Sequence, residues 1–243
     1  EWCQDLARKD VRVEVLTYGE RFGGAAKNFF RLIRDVDFSY FDYIALSDQD
    51  DIWDSDKLHH AISVIEKDNL DGYSSNVTAF WSDGRERLVE KSFLQKKFDY
   101  FFEAAGPGCT YVLKQQPLQK FKRFLTKNWE VNNCIDSHDW LIYAFFRSRK
   151  MPWRIDSTSL MLYRQHESNQ VGSNFGFLAY LKRIKLIRNG WCRSEVRKIS
   201  EAIGIGDDEF NLDTWFLIKN FRQLRRQNRD VFILFLMILF GIF

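Results

Sequence analysis

Apolar and polar residues follow two periods in the first half of the chain, and each period predicts one type of element. The alternating, Val-rich segment 11–17 and the apolar runs 43–47 and 77–81 are typical of β-strands. Apolar residues at helical spacing predict helices over 25–34 and from residue 55 or 56 to 67. This alternation favours an α/β fold with a largely parallel sheet.

The second half is mostly helical in its pattern and ends in an apolar segment. Helices are predicted over 118–125, 138–147, 175–189, 192–203 and 210–227, and one strand over 159–164. The last 13 residues, 231–243, are all apolar or Gly. We therefore divide the chain into an α/β body over 1–173 and a helical arm over 174–243, with a candidate hinge at 204–208.

Composition and charge narrow the class of protein. With 243 residues, 45% of them hydrophobic and 28% charged, the chain is neither a disulfide-stapled miniprotein nor a disordered segment. Four scattered cysteines without a C-x-x-C pair indicate a reduced, cytosolic setting. A net charge of +3 is too small to indicate nucleic-acid binding. The charge is uneven, however, because residues 174–243 carry 12 basic and 7 acidic side chains.

The most informative stretch is an acidic turn, residues 48–51, that follows the predicted strand 43–47. Ligands of α/β sheets bind at the carboxyl ends of strands, and three neighbouring carboxylates repel one another. Mg²⁺ or Mn²⁺, with a diphosphate completing the shell, would offset that repulsion. The alternative is a solvated turn that caps the next helix. An EF-hand is excluded because Trp53 occupies the position that needs Gly, and neither an aspartyl phosphatase nor a two-metal nuclease fits the remaining spacing.

The sequence Asp-Gln-Asp-Asp-Ile-Trp at 48–53 resembles the DXD region of family 2 glycosyltransferases of the GT-A fold, in the form of bacterial rhamnosyltransferase-like members. Segments similar to other family motifs follow in the family order. They are 24–29, 56–58, 106–109, 137–140 and the Tyr-Arg-Gln-His block that starts at 163. The resemblance covers roughly residues 10–175. It implies a mixed, mostly parallel sheet with helices on both faces.

The same resemblance implies a role for each motif residue. Asp139 is the expected general base that deprotonates the acceptor hydroxyl, with inversion at the anomeric carbon. The expected metal ligands for Mg²⁺ or Mn²⁺ are Asp50 and His166. The residues expected to bind the nucleotide sugar are Asp48, Asp50, Asp51, Trp53, Gly108 and Arg164.

Each of these roles has a purely structural alternative. Asp139 would cap the helix that begins at residue 138, and His166 would be an ordinary core or surface histidine. Arg164 would form a surface ion pair, Trp53 would pack in the core, and Gly108 would serve a turn.

The family resemblance also implies the reaction. We expect transfer of a single sugar, rhamnose from a dTDP-sugar, to a bacterial surface polysaccharide or a polyprenyl-linked acceptor. The motif of processive members is absent, which favours single transfer. A UDP-hexose donor is one alternative. Because the family's first strand, helix and acidic turn are not matched, we expect the catalytic domain to be N-terminally incomplete, and a non-catalytic carbohydrate- or membrane-binding remnant is the other alternative.

Basic residues precede the apolar end of the arm: Lys219, Arg222, Arg225, Arg226 and Arg229. A 13-residue helix spans about 20 Å, less than the roughly 30 Å of a bilayer core. Segment 219–243 therefore predicts peripheral attachment to an anionic membrane surface, on the inner face of the bacterial cell membrane. The alternative is a helix of the core or of a dimer interface.

Overall fold

The computed structural model describes residues 2–17, 23–165, 190–206 and 209–243. The α-helices are α1 (Trp2–Lys9), α2 (Ala25–Asp35), α3 (Lys57–Lys67), α4 (Gln115–Lys127), α5 (Trp129–Asn132), α6 (His138–Ser148), α7 (Trp191–Ile203), α8 (Thr214–Asn220) and α9 (Asn228–Leu239). The strands are β1 (Tyr43–Ala45), β2 (Ile52–Trp53), β3 (Gly72–Ser75), β4 (Val77–Phe80), β5 (Glu86–Val89), β6 (Val112–Lys114), β7 (Trp153–Asp156) and β8 (Met161–Arg164). Short 3₁₀ turns lie at Asp99–Phe101, Gly108–Thr110 and Phe221–Gln223.

The described strands form two four-stranded mixed sheets. The first has the order β1-β6-β3-β7, in which β6 is antiparallel to β1 and β3, and β3 is parallel to β7. The second has the order β2-β8-β4-β5, in which only the β4–β8 pair is parallel. The mixed α/β architecture is confirmed.

Parallel pairs are fewer than the sequence predicts. Of the strand pairs in the described part of the chain, β3–β7 and β4–β8 are parallel and four are antiparallel. Parallel neighbours need a long crossover connection, whereas a tight turn joins antiparallel ones. Strands β4 and β5 are joined by such a turn, in which Gly84 takes the left-handed conformation at φ +82°.

The predicted strand over 11–17 is wrong. Residues 13–17 have no regular structure, and Val11 is fully exposed. The local contacts of this segment are a turn in which the Val13 amide donates to the Asp10 carbonyl and an Arg12–Asp10 ion pair. An alternating pattern forms a strand only where it can hydrogen-bond to a sheet edge and pack on an apolar layer. In the described structure this segment does neither.

The predicted helices agree with the structure better than the predicted strands do, because helix prediction depends on local periodicity. Helices α2, α3, α4, α6 and α7 agree with the predicted segments within a few residues. The predicted helix 210–227 is shorter, since α8 ends at Asn220 and the 3₁₀ turn follows it. The predicted helix 175–189 lies outside the described residues.

The main core lies between the first sheet and helices α2, α4 and α6, and aromatic side chains fill most of it. Phe30, Phe121 and Phe146 are fully buried, and Tyr111 and Trp153 meet edge to face. Burying aromatic rings removes a large apolar area from water, so this layer accounts for much of the chain's aromatic surplus.

The C-terminal helices pack against this core. Phe210, before α8, stacks on Phe101 at a centroid distance of 3.8 Å, and Leu217 and Leu224 are fully buried in the same cluster. Helix α9 buries Val231, Leu234 and Ile238. The described part of the arm is therefore anchored to the α/β body.

Candidate functional site

The acidic turn 48–51 lies between β1 and β2. The amide of Leu46 donates to the carbonyl of Tyr111, so the chain leaves β1 still attached to the segment before β6. Leu46 is buried in the main core, and Asp48 follows it half-buried. Burial of Leu46 in the core thus fixes the position of the acidic turn that follows it.

Two of the carboxylates meet a thiol in this region. One ligand atom each from Asp48, Asp51 and Cys109 lies within 4.8 Å of the other two. Cys109 is fully buried in the 3₁₀ turn that follows Gly106 and Pro107. We call Asp48, Asp51 and Cys109 the acidic cluster.

The electrostatics of the acidic cluster show a shortage of positive charge. Burial, together with the charges of Asp51 and Asp50, raises the pKa of Asp48 to about 6. Burial also raises the pKa of Asp51, although the Arg164 amide opposes that shift. Burial and both carboxylates raise the pKa of the Cys109 thiol well above its usual range. A cation bound near these carboxylates would relieve their repulsion.

The chemistry of the acidic cluster fits a hard divalent cation on its oxygen atoms. Mg²⁺ and Mn²⁺ prefer carboxylate oxygens, whereas a sulfur ligand has to be a thiolate. Cys109 stays a thiol and is placed to donate its hydrogen to either carboxylate. Asp48 and Asp51 would therefore hold the ion. The carboxylate of Asp50 does not belong to this group, and His166 lies outside the described residues.

Arg164 clamps the acidic turn to β8. Its backbone amide donates to Asp51 Oδ1 at 3.0 Å, and its Nε donates to the backbone carbonyl of Asp50 at 2.8 Å. The guanidinium also lies 4.6 Å above the ring of Phe80. Arg164 thereby fixes Asp50 and Asp51. The sequence analysis grouped these three residues as binding the nucleotide sugar.

Trp53 lies beneath the acidic cluster. Its ring packs with Val77, Cys109 and Met161, and β2 pairs it with Met161. The ammonium of Lys57 sits 3.6 Å from the ring centroid. Burial lowers the pKa of Lys57 to about 8, while the charge of Asp51 opposes that shift.

Asp139 lies in the first turn of α6 and faces the same region. Its Oδ1 accepts hydrogen bonds from Ser137 Oγ at 2.6 Å and from the Trp140 amide at 2.8 Å. Its charge contributes to the raised pKa values of Asp48 and Tyr163. The fold thus brings together two acidic motifs that are about 90 residues apart in the sequence.

Gly108 has a packing reason to be glycine. A Cβ atom at this position would clash with the imidazole of His138, which stacks on Phe29 at 4.2 Å. His138 is buried, burial lowers its pKa, and its Nε2 lacks a hydrogen-bond partner among the described residues. Close packing of the 3₁₀ turn on α6 therefore positions Cys109 beside the carboxylates.

Sequence reasoning missed Cys109 and Lys57 as members of the site. Cys109 could have been predicted, because it belongs to the small-residue segment 106–109 that resembles a family motif. Lys57 belongs to segment 56–58, which also resembles a family motif, but a lysine at the start of a surface helix is normally solvated and it was given no role. Only the tertiary structure shows that Cys109 lies near Asp51 and that the charge of Asp51 acts on Lys57.

Comparison with known proteins identifies the class and then the family. No family model matches the chain. The chain is 47% identical over 239 residues to the dTDP-rhamnosyl transferase RfbG of Shigella flexneri, covering 95% of this chain and 82% of that protein. The solved structure of residues 1–349 of S. aureus TarS in complex with UDP-GlcNAc aligns with a TM-score of 0.48 at 12% identity, over 92% of this chain and 60% of that one.

The sequence similarity to RfbG confirms that the protein is a glycosyltransferase. The chain belongs to the same family as RfbG, the rhamnosyltransferase-like branch of family 2 glycosyltransferases.

Proposed function

We propose that this chain transfers a single rhamnose from a dTDP-sugar to a saccharide acceptor of a bacterial surface polysaccharide, with inversion and with Mg²⁺ or Mn²⁺. The 47% identity to a dTDP-rhamnosyl transferase supports the donor. The observation that carries the proposal is the close pair of Asp48 and Asp51 after β1, on which the charge of Asp139 also acts. That arrangement offers a cation-binding pair of carboxylates beside a separate acid–base group.

The three acidic positions have different tasks in this proposal. Asp48 and Asp51 would hold the divalent cation that accompanies the donor's diphosphate, with Asp50 as the further metal ligand that the family resemblance implies. A cation held there would supply positive charge against the charge that develops on the leaving nucleoside diphosphate. Arg164 holds the acidic turn in place, and the Trp53 ring packs against Cys109 beside it.

Asp139 takes the proton of the acceptor hydroxyl. The hydrogen bonds from Ser137 and the Trp140 amide fix one carboxylate oxygen and orient the other. A carboxylate fixed in this way acts as a general base when the acceptor oxygen attacks the anomeric carbon. His166, which lies outside the described residues, belongs to this proposal only as an additional metal ligand.

Binding of the nucleotide is tested by thermal unfolding with Mn²⁺ plus dTDP or UDP. We expect Mn²⁺ and dTDP together to raise Tm by about 5–10 °C at a ligand concentration about a hundred times Kd, since ligand binding stabilises only the native state. Asp48→Asn should abolish most of that rise. The exposed hairpin variant Asp83→Asn is the matched control and should keep it.

The same experiment separates the alternatives. An equal or larger rise with UDP would favour a UDP-sugar donor. No rise with either nucleotide would favour the non-catalytic, carbohydrate- or membrane-binding remnant.

We also propose that segment 219–243 attaches the enzyme to the inner face of the cell membrane, where a polyprenyl-linked acceptor would lie. Within the described ranges, each helix is too short or too polar to cross a bilayer. Helix α9 instead exposes Phe232 and Leu239, and Phe240 follows it 74% exposed. Exposed apolar side chains beside basic ones suit an anionic lipid surface.

Only part of the basic run is available for this contact. Lys219, Arg222 and Arg229 are exposed. Arg225 donates to the Phe102 carbonyl, and Arg226 is buried in ion pairs with acidic residues of the body. Arg225 and Arg226 therefore turn towards the body, because buried carboxylates and carbonyls attract them inward.

Attachment is tested by sedimentation with vesicles of phosphatidylglycerol or phosphatidylcholine. We expect the wild type to sediment with the anionic vesicles and to stay in the supernatant with the neutral ones. The double variant F232S/F240S should bind more than about tenfold more weakly, because two exposed rings no longer enter the lipid. Leu94→Ser, at another exposed apolar residue, is the control. A wild type that stays in the supernatant with both vesicles would refute the attachment.

A further inference from the structure

Lys57 is in an unusual environment for a lysine. It is the first residue of α3 and only 4% exposed, and its Nζ lacks a hydrogen-bond partner among the described residues. A buried ammonium without hydrogen bonds is costly, and the positive end of the helix dipole adds to the cost. Something nearby therefore has to stabilise the charge.

Two features of the surroundings do so. The face of Trp53 lies 3.6 Å from Nζ, in the geometry of a cation–π contact. The Trp53 ring in turn packs against Cys109, whose sulfur lies within 4.8 Å of a carboxylate oxygen of Asp51. The ammonium is therefore close to the acidic cluster, and the charge of Asp51 favours the charged form of Lys57.

Asp51 is consequently held from two directions. From the strand side it accepts the Arg164 amide at 3.0 Å, and the Arg164 charge favours its ionised form. The charge of Lys57 acts on it without a direct hydrogen bond, since Asp51 Oδ2 and Lys57 Nζ both lack a hydrogen-bond partner among the described residues. A carboxylate with these partners has part of its charge neutralised before any ligand arrives.

We propose that Lys57 is the internal counter-cation of the acidic cluster, which weakens binding of a free divalent ion and makes tight binding depend on the donor's diphosphate. The physical reason is Coulombic. A fixed positive charge behind Asp51 repels an incoming divalent ion and attracts the diphosphate that accompanies it. Lys57 is a positioning residue in this scheme, acting through Asp51, and the inference rests on the proposed function.

The direct test is Mn²⁺ binding without nucleotide, measured by the EPR signal of free Mn²⁺. Lys57→Met keeps much of the buried stem and removes the charge, so we expect Mn²⁺ to bind about tenfold more tightly than in the wild type. Adding dTDP should then increase Mn²⁺ affinity less in K57M than in the wild type. Lys67→Met, at the exposed end of the same helix, is the matched control and should change neither value.

A stability cycle tests the Lys57–Asp51 coupling without any ligand. Urea unfolding of the wild type, K57M, D51N and the double variant in EDTA should show that K57M lowers stability more in the wild-type background than in the D51N background. If K57M alone fails to fold but the K57M/D51N double variant folds, that outcome shows the same coupling. Equal effects of K57M in both backgrounds would overturn the pairing.

The outcomes also separate this inference from the proposed function. Unchanged or weaker Mn²⁺ binding in K57M, beside normal dTDP binding by the wild type, would overturn the inference alone. Absence of both Mn²⁺ and dTDP binding in every variant would overturn the inference and the proposed function together.

Discussion

Asp139→Asn is expected to lower the rate of sugar transfer by about 10²–10⁴-fold while leaving nucleotide affinity nearly unchanged. The range is the usual contribution of a positioned general base. Asparagine keeps an oxygen that can accept the hydrogen bonds now made by Ser137 Oγ and the Trp140 amide. The first turn of α6 should therefore keep its geometry, and the variant removes only the ability to accept a proton.

The measurement is single-turnover transfer, with dTDP affinity determined on the same preparation. Asp136→Asn is the matched control, because Asp136 is a nearby exposed acid whose carboxylate accepts from Trp191 Nε1. It should retain near-normal transfer. If D139N transferred sugar at the wild-type rate and lost only thermal stability, Asp139 would be a helix-capping residue and the base would lie elsewhere.

Arg226→Met is expected to lower the free energy of unfolding by about 3–5 kcal/mol, the usual cost of breaking a buried ion pair by removing one partner. The Arg226 guanidinium is 1% exposed and lies 3.2 Å from both Asp99 and Glu103. Asp99 is itself fully buried and also accepts from Arg147 at 3.1 Å and from the Tyr143 hydroxyl at 3.0 Å. Methionine would leave Asp99 and Glu103 short of one positive charge.

Urea unfolding of R226M beside Arg229→Met gives the comparison. Arg229 is 71% exposed, so its substitution should change stability by no more than about 0.5 kcal/mol. Adding Asp99→Asn to R226M should recover part of the loss, because the uncompensated charge is then removed. A loss below about 1 kcal/mol in R226M would mean that apolar packing, rather than this ion pair, holds the arm on the body.

These two sites differ in how far the sequence predicted them. Asp139 was selected from the motif Ser-His-Asp-Trp at 137–140, and the structure places it where its charge acts on Asp48. Its catalytic role stays a prediction. Arg226 was assigned to a lipid-facing basic run, because sequence spacing cannot show that Asp99, 127 residues earlier, offers a buried partner.

Local sequence determined the helices and the chemical character of the site. Helical periodicity depends on residues three and four apart, so α2, α3, α4, α6 and α7 were predictable. The acidic turn after a short apolar strand and the family motifs were likewise predictable from neighbouring residues. Strand pairing was less predictable, as β2, β6 and β8 acquire their partners from distant segments and the alternating segment 11–17 lacks one among the described residues.

The tertiary structure decided which charges meet. Packing of Gly108 on His138 brings Cys109 to Asp48 and Asp51, and the start of α3 places the Lys57 ammonium over the ring of Trp53. The same packing buries Arg226 against the body and leaves Phe232 and Phe240 exposed. The sequence alone thus determined the helices, the acidic motif and the family. Burial and distance set the charge balance around that motif, because both depend on contacts between residues far apart in the chain.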